Sequence, residues 1–240
     1  DQTGINLFNA GELDLTKNRL DVLNKGLEES IRINGEDSEA TRIAREEVQK
    51  EYDTLYKFNP AKWSNTDRSD FMINVLKTIQ PNPQTAVDIG CGIGVALENY
   101  GKHFPETTLY GIDPSNEAVR LSKERVPYGR FTTEDEFEEI KQFDLVFCLG
   151  VAEHVEDLLY FLKGLKRKVK SGGVCYLEVP HNLLYSKGPE TYRRLTTRSK
   201  QIEWHLPRKR WERIILASGF EIVKSYTGLN ATWEYIWVLK

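Results

Sequence analysis

The chain has 240 residues, of which 40% are hydrophobic and 29% charged, with a formal net charge of −3. It is long enough to bury a large core, and its charge gives no global reason to expect nucleic acid or an anionic membrane as a partner. Its apolar runs are too short to cross a bilayer and its first residues lack a secretion-signal pattern, so the sequence predicts a cytoplasmic protein.

The first 60 residues are acidic and have a helical rhythm of apolar side chains. One such pattern runs from Leu15 to Ile31 and a second from Ile43 to Tyr56. Ser38 is a candidate start for the second helix. Each helix would have one apolar face, too small to form a core of its own, so we expect both to pack on the rest of the chain. A further helix is predicted in "SDFMINVLKTI".

From Gln84 onward, short apolar runs alternate with helical patterns. The predicted strands lie in "TAVDIG", "TLYGID", "GRFTT", "FDLVFCLGV", "GGVCYLEVP", "FEIVKSYTG" and "TWEYIWVLK". Alternation of this kind predicts an α/β fold with a doubly wound, mostly parallel sheet. The last two strands are separated only by "TGLNA", too short for a helical crossover, so the last strand should be antiparallel.

The three cysteines, Cys91, Cys148 and Cys175, lie within or beside these apolar runs. They form no CxxC pair, and no histidine stands at metal-ligand spacing from them. We therefore expect buried thiols in a reducing compartment and predict no metal site.

The turn "DIGCGIG" follows the first predicted strand. In an open parallel sheet, ligands bind at the carboxyl ends of the strands, and glycines there let a ligand approach the backbone closely. The spacing is G-x-G-x-G, neither the dinucleotide pattern G-x-G-x-x-G nor a phosphate loop. A nicotinamide-dependent oxidoreductase is therefore the less favoured interpretation.

Five motifs in order resemble those of the class I S-adenosylmethionine-dependent methyltransferases. They are "VDIGCGIG", "YGIDPS", "FDLVFCLGVAEHVED", "VKSGGVCYLEVP" and "HLPRKRWERIILASGFEIV". The resemblance covers about residues 84–240 and implies a seven-stranded methyltransferase domain over residues 68–240. Residues 1–67 would then be a helical lid over its active site.

The resemblance implies a set of cofactor contacts. Asp88 would face the ammonium group of S-adenosylmethionine, and Asp113 would accept hydrogen bonds from both ribose hydroxyls. Helix capping is the alternative role for Asp113. The adenine would lie near Glu134 or Asp135. The other implied cofactor residues are Gly90, Cys91, Gly92, Gly94, Pro114, Leu149 and Gly150.

Two histidines are candidates for acid–base chemistry. His154 follows the fourth strand, where the family often carries a histidine, and it could act as a base or order the loop by hydrogen bonds. His205 could be a base or a packed residue. A base is needed only if the acceptor holds its proton tightly.

The segment 181–210 is the predicted acceptor-binding insertion, because it is long and rich in aromatic and basic residues. Residues 181–213 hold nine basic residues against three glutamates, whereas residues 1–60 hold thirteen acids against eight bases. The basic excess could bind an acidic acceptor, form a solvated face or pair with the N-terminal helices. Candidate substrate-binding residues are Tyr56, Trp63, His181, Tyr185, Tyr192 and Arg193.

The aromatic rings of Tyr56 and Trp63 could cover the sulfonium of the cofactor, or they could only pack the N-terminal helices against the sheet. The favoured prediction is a small-molecule acceptor, which could be acidic and which is methylated on oxygen or nitrogen. A peptide, RNA or non-catalytic scaffold role stays as the alternative. Nucleic acid is disfavoured because no (D/N)PP(Y/F) tetrapeptide follows the fourth strand. No membrane partner is predicted, and the oligomeric state stays open.

Overall fold

The computed structural model describes residues 23, 27, 29–35, 38–58, 67–133, 142–155, 157–180, 192–195, 202–227 and 234–240. Six helices of nine or more residues lie in the described part: α1 Glu39–Phe58, α2 Asp67–Ile79, α3 Val95–His103, α4 Asn116–Arg125, α5 Leu158–Lys168 and α6 Arg208–Ala217. The strands are β1 Thr85–Ile89, β2 Thr108–Ile112, β3 Arg130–Thr132, β4 Phe143–Leu149, β5 Val169–Pro180, β6 Tyr192–Leu195, β7 Ile202–His205, β8 Ile222–Thr227 and β9 Glu234–Leu239.

Seven strands form one sheet in the order β3-β2-β1-β4-β5-β9-β8. The pairs from β3 to β5 are parallel, and β9 is antiparallel to both of its neighbours. The predicted α/β class, the doubly wound sheet and its antiparallel last strand are confirmed. The winding reverses between β1 and β4, which places the ligand-binding edge of the sheet at their carboxyl ends.

Buried apolar side chains cover both faces of this sheet. One cluster includes Leu162, Trp211 and Trp237, and the other includes Met72, Leu97 and Tyr176. All three cysteines are buried free thiols, as predicted, and burial raises the pKa of each thiol. A protonated, buried thiol is a core group rather than a nucleophile.

Helix α1 begins where the sequence predicts. The Ser38 hydroxyl accepts a hydrogen bond from the backbone N–H of Thr41 (3.2 Å), which satisfies one of the free donors of the first turn. Val48 and Tyr56 on its apolar face are buried, and the helix packs on α4. The first predicted helix lies largely outside the described residues, although residues 29–34 are helical. Within the described residues, no helix has both the length and the apolarity that a membrane span requires.

Strands β6 and β7 form a separate antiparallel hairpin in which Tyr192 is opposite His205. The sequence predicts a long recognition segment here but not a hairpin. The reason is that "YRRL" lacks the alternation of apolar and polar residues by which a half-buried strand is recognised, and "IEWH" alternates over only four residues.

Candidate active site

The glycine turn after β1 is held against the end of β2. The carbonyl oxygen of Ile112 accepts hydrogen bonds from the backbone N–H groups of Gly90 (2.8 Å) and Cys91 (3.0 Å). Gly90, Gly92 and Gly94 have φ values of 76°, 52° and 78°, in the left-handed region that glycine adopts without strain. The turn therefore depends on glycine at each of the three positions.

All three glycines are also closely enclosed, Gly90 most of all. A Cβ on Gly90 would lie 2.3 Å from Cγ2 of Val151, and a Cβ on Gly92 would lie 3.2 Å from the hydroxyl of Tyr56. Gly94 is enclosed as tightly but by another element, because a Cβ there would lie 3.1 Å from Oγ of Ser122 on α4. It does not border the cavity described below, so the structure gives it a packing role between α3 and α4.

Asp113 follows β2 and is buried beside this turn. Its Oδ2 accepts a hydrogen bond from Gly92 N (2.8 Å) and its Oδ1 accepts one from Ser115 N (3.0 Å). Burial raises the pKa of this carboxyl to about 6, although these hydrogen bonds and one from Tyr56 oppose the rise. The alternative role as a helix cap is not supported, because the N-cap of α4 is Ser115, whose side chain accepts from Ala118 N.

Tyr56 of α1 lies beside the glycine turn and Asp113. Burial and the charge of Asp113 raise the pKa of its hydroxyl, so it stays protonated and donates to that carboxylate. The sequence places Tyr56 among the acceptor-binding residues, whereas the structure places its hydroxyl against Asp113 and Gly92.

Asp88, at the end of β1, is a buried carboxyl that faces the same space. Among the described residues, no donor lies within hydrogen-bonding distance of its Oδ1. Burial, and then the charge of Asp113, raise its pKa to about 7, while Arg68 lowers it. A buried carboxylate without a partner is costly, and a cationic ligand would relieve that cost.

Arg68 on α2 is a site residue that the sequence analysis missed. It forms an ion pair with the buried Glu178 at the end of β5, and a Cβ on Gly150 would lie 2.8 Å from its Nη2. Burial lowers the pKa of its guanidinium, but the charges of Glu178, Glu234 and Glu153 raise it overall. No motif marks Arg68, since its partners come from three distant parts of the chain.

These groups surround one cavity of about 380 Å³. Of the predicted residues, it is lined by Tyr56, Asp88, Gly90, Cys91, Gly92, Asp113, Pro114, Leu149, Gly150 and His154, and also by Arg68. The volume is within the range of small-molecule sites. Its buried carboxyls suit hydrogen-bond donors and a cation, and Arg68 suits a carboxylate, so these residues fit S-adenosylmethionine.

Several predicted residues cannot be placed. Glu134, Asp135, Trp63, His181 and Tyr185 lie outside the described residues. For Tyr192, Arg193 and His205 the structure gives the backbone, in the β6–β7 hairpin, but not the side chains.

His154 lies at the end of a short 3₁₀ helix, Ala152–His154, that follows β4. Its Nε2 is 3.8 Å from Oε1 of the buried Glu153. The indole Nε1 of Trp204, on β7, donates to the carbonyl of the next residue, Val155 (2.6 Å). The hairpin therefore contacts the turn that carries His154, which brings part of the predicted insertion to this side of the cavity.

The comparisons with known proteins agree with this geometry. A family model described as "Methyltransferase domain" matches residues 58–225. Trans-aconitate 2-methyltransferase of Rhodopseudomonas palustris is 30% identical over 103 residues, which are 42% of this chain and 40% of that protein. Ubiquinone biosynthesis O-methyltransferase of Nitrosomonas europaea is 27% identical over 147 residues, 56% of this chain and 61% of that protein. The matched regions thus span less than two thirds of both relatives.

A solved structure shares the fold at low sequence identity. It is the 1,6-didemethyltoxoflavin-N1-methyltransferase of Burkholderia thailandensis with bound S-adenosylhomocysteine, with a TM-score of 0.62 and 15% identity over 84% of this chain and 88% of that one. The family model, the strand order and the glycine turn all match one family. The chain belongs to the class I S-adenosylmethionine-dependent methyltransferases.

Proposed function

We propose that this chain transfers a methyl group to an oxygen of a small, acidic acceptor. The observation that carries the proposal is the cavity in which Asp88, the glycine turn and Asp113 meet His154. The name of the ubiquinone biosynthesis O-methyltransferase supports oxygen as the atom methylated, and the names of both relatives support a small molecule as the acceptor. Nitrogen stays the second choice.

The residues toward the cofactor have distinct roles in this proposal. Asp113 accepts hydrogen bonds from the ribose hydroxyls. Of the about four lone-pair sites of its carboxylate, Gly92 N, Ser115 N and the Tyr56 hydroxyl use three, so the ribose hydroxyls share the remaining site or displace Tyr56. Asp88 faces the ammonium group and gains the partner that its Oδ1 lacks. Arg68, which lines the same cavity beside Gly150, attracts the carboxylate of the same amino acid moiety.

S-adenosylmethionine supplies a methyl group that positively charged sulfur already activates. The chain must therefore place the acceptor in line with that methyl group and exclude water. Val151 and Val155 provide apolar walls beside His154. A carboxylate acceptor needs no base, whereas a phenol or alcohol does.

The acceptor class is tested by a panel assay. The protein is incubated with S-adenosylmethionine and equimolar sets of small di- and tricarboxylates, phenols and amines, and S-adenosylhomocysteine release is measured together with the mass of the product. Methylation of a carboxylate or phenol supports the proposal. Turnover on amines alone, or on peptides and RNA but no small acid, would contradict it.

His154→Gln separates the two kinds of oxygen acceptor. If the acceptor is a phenol or alcohol, we expect kcat to fall about 10²- to 10⁴-fold, because a general base is lost. If it is a carboxylate, kcat should change less than about threefold. Unchanged kcat on a phenol would leave His154 with its loop-ordering role only. Exposed His103→Gln is the matched control.

A further inference from the structure

Asp53, in the last turns of α1, binds the start of α4. Its Oδ1 accepts hydrogen bonds from the hydroxyl of Ser115 (2.7 Å) and from the backbone N–H of Glu117 (2.8 Å). These contacts join residues 62 and 64 positions apart in the chain. A helix N-terminus favours such a negative charge.

The same contacts lead directly to the cofactor carboxyl. Ser115, held by Asp53 through its hydroxyl, donates its backbone N–H to Oδ1 of Asp113 (3.0 Å). One helical turn after Asp53, Tyr56 reaches the same Asp113 carboxylate with its hydroxyl. Helix α1 therefore controls two of the groups that orient Asp113.

Helix capping alone does not account for Asp53. Ser115 already caps α4 by accepting from Ala118 N (3.0 Å). Asp53 satisfies a second first-turn donor, Glu117 N, and in addition links α1 to the segment that follows β2.

We propose that Asp53 is a positioning residue of the cofactor site: through Ser115 it fixes Asp113 in the orientation that the ribose hydroxyls require, and it holds Tyr56 on the same carboxylate. The inference deepens the proposed function and rests on it. It makes the last turns of α1 part of the cofactor site rather than only a cover for the acceptor.

The test measures the affinity of the full chain for S-adenosylhomocysteine by calorimetry. Asp53→Ala should raise the dissociation constant about 5- to 20-fold, because Ser115 and Tyr56 lose their support. Asp53→Asn should stay within about threefold of the wild type, since its amide oxygen still accepts both hydrogen bonds. Glu47→Gln, an exposed position on the same helix, is the control and should match the wild type.

A double-mutant cycle shows whether Asp53 acts through Asp113. In an Asp113→Ala background, Asp53→Ala should cause no further loss of affinity. If the two residues acted independently, the losses of binding free energy from the two substitutions would add. Melting temperatures are recorded for every variant. If Asp53→Ala lowers the melting temperature but leaves the dissociation constant unchanged, Asp53 is a structural cap and the inference is wrong.

Two further outcomes are distinguishable. If Asp53→Ala does not fold, Ser115→Ala removes the hydroxyl part of the link from the α4 side, together with the cap on Ala118 N, while it keeps the Glu117 N bond to Asp53 and the backbone donor to Asp113. An unchanged dissociation constant in that variant overturns the inference, and a rise of about threefold or more supports it. Absence of binding by the wild type would instead refute the proposed cofactor site.

Discussion

Asp88 and Asp113 are two buried carboxyls whose charges repel each other, and burial raises the pKa of both, to about 7 and about 6. Their ionised forms are unfavourable in the free protein, and under the proposed function a cationic, hydroxyl-bearing ligand would stabilise them. The site therefore lowers the stability of the ligand-free chain at neutral pH. Such a trade between stability and function is common at active sites.

Asp88→Asn should stabilise the ligand-free protein at pH 8. The folded-state pKa of Asp88 lies above its value of 3.8 in a model compound, so its stabilising contribution is full below about pH 3.8 and is lost as the pH rises through 7. Removal of the charge should raise the free energy of unfolding by about 1–4 kcal/mol at pH 8 and by much less at pH 4.

Thermal unfolding at the two pH values checks this prediction. Exposed Glu106→Gln controls for the loss of one negative charge. A lower melting temperature for Asp88→Asn at pH 8 would show that a partner already stabilises the Asp88 carboxylate.

Asp113→Ala should weaken binding of S-adenosylhomocysteine by about 1.5–3 kcal/mol, because charge-assisted hydrogen bonds to the ribose hydroxyls are lost. Calorimetry gives the dissociation constant directly. The same affinity in the variant and the wild type would remove Asp113 from the cofactor site.

The sequence identifies Asp88 and Asp113 because each follows a strand at a fixed place relative to the glycine turn. It does not identify Arg68 or Asp53, whose partners Glu178 and Ser115 are 110 and 62 positions away. Only the assembled sheet brings these pairs together, and no local pattern encodes them. Tyr56 falls between these cases, since its burial is predictable from the helix face but its contact with Asp113 is not.

At the scale of elements, the glycine turn can be tested with a matched pair of substitutions. Gly90 and Gly172 have φ values of 76° and 80°, so alanine is strained similarly at both. A Cβ on Gly172 meets nothing within 4 Å, whereas one on Gly90 would lie 2.3 Å from Cγ2 of Val151. Gly172→Ala should therefore cost about 1–2 kcal/mol of stability and Gly90→Ala about 2–4 kcal/mol.

Denaturant unfolding measures the two costs, and calorimetry measures cofactor affinity in both variants. Only Gly90→Ala should impair binding, because Gly172 lies in the first part of β5, away from the cavity. Equal loss of stability in the two variants would mean that Val151 moves aside freely.

The regular elements around the sheet follow from local patterns. Short apolar runs in the sequence predict the strands of the large sheet, and apolar residues repeated every 3.6 positions predict helices α1 to α6. The β6–β7 hairpin does not follow, because its strands have only four residues each. Tertiary contacts such as that of Trp204 with the carbonyl of Val155 accompany it. Pairing of this kind is decided by the surrounding structure rather than by the residues of the strand.

For the whole molecule, the charges around the cavity favour a cation. Asp88 and Asp113 line it, and Glu178, Glu153 and Glu234 surround the guanidinium of Arg68. S-adenosylmethionine carries the extra positive charge of its sulfonium, which S-adenosylhomocysteine lacks. If the cofactor binds here as proposed, we expect the balance of charge to favour the methyl donor over the demethylated product.

The most direct test of this account is calorimetry of the wild-type chain with S-adenosylmethionine and S-adenosylhomocysteine at pH 8. We predict one site with dissociation constants in the low to mid micromolar range, about −6 to −8 kcal/mol, which a preformed cavity of this size can provide. No heat of binding with either ligand, from folded protein, would contradict the account.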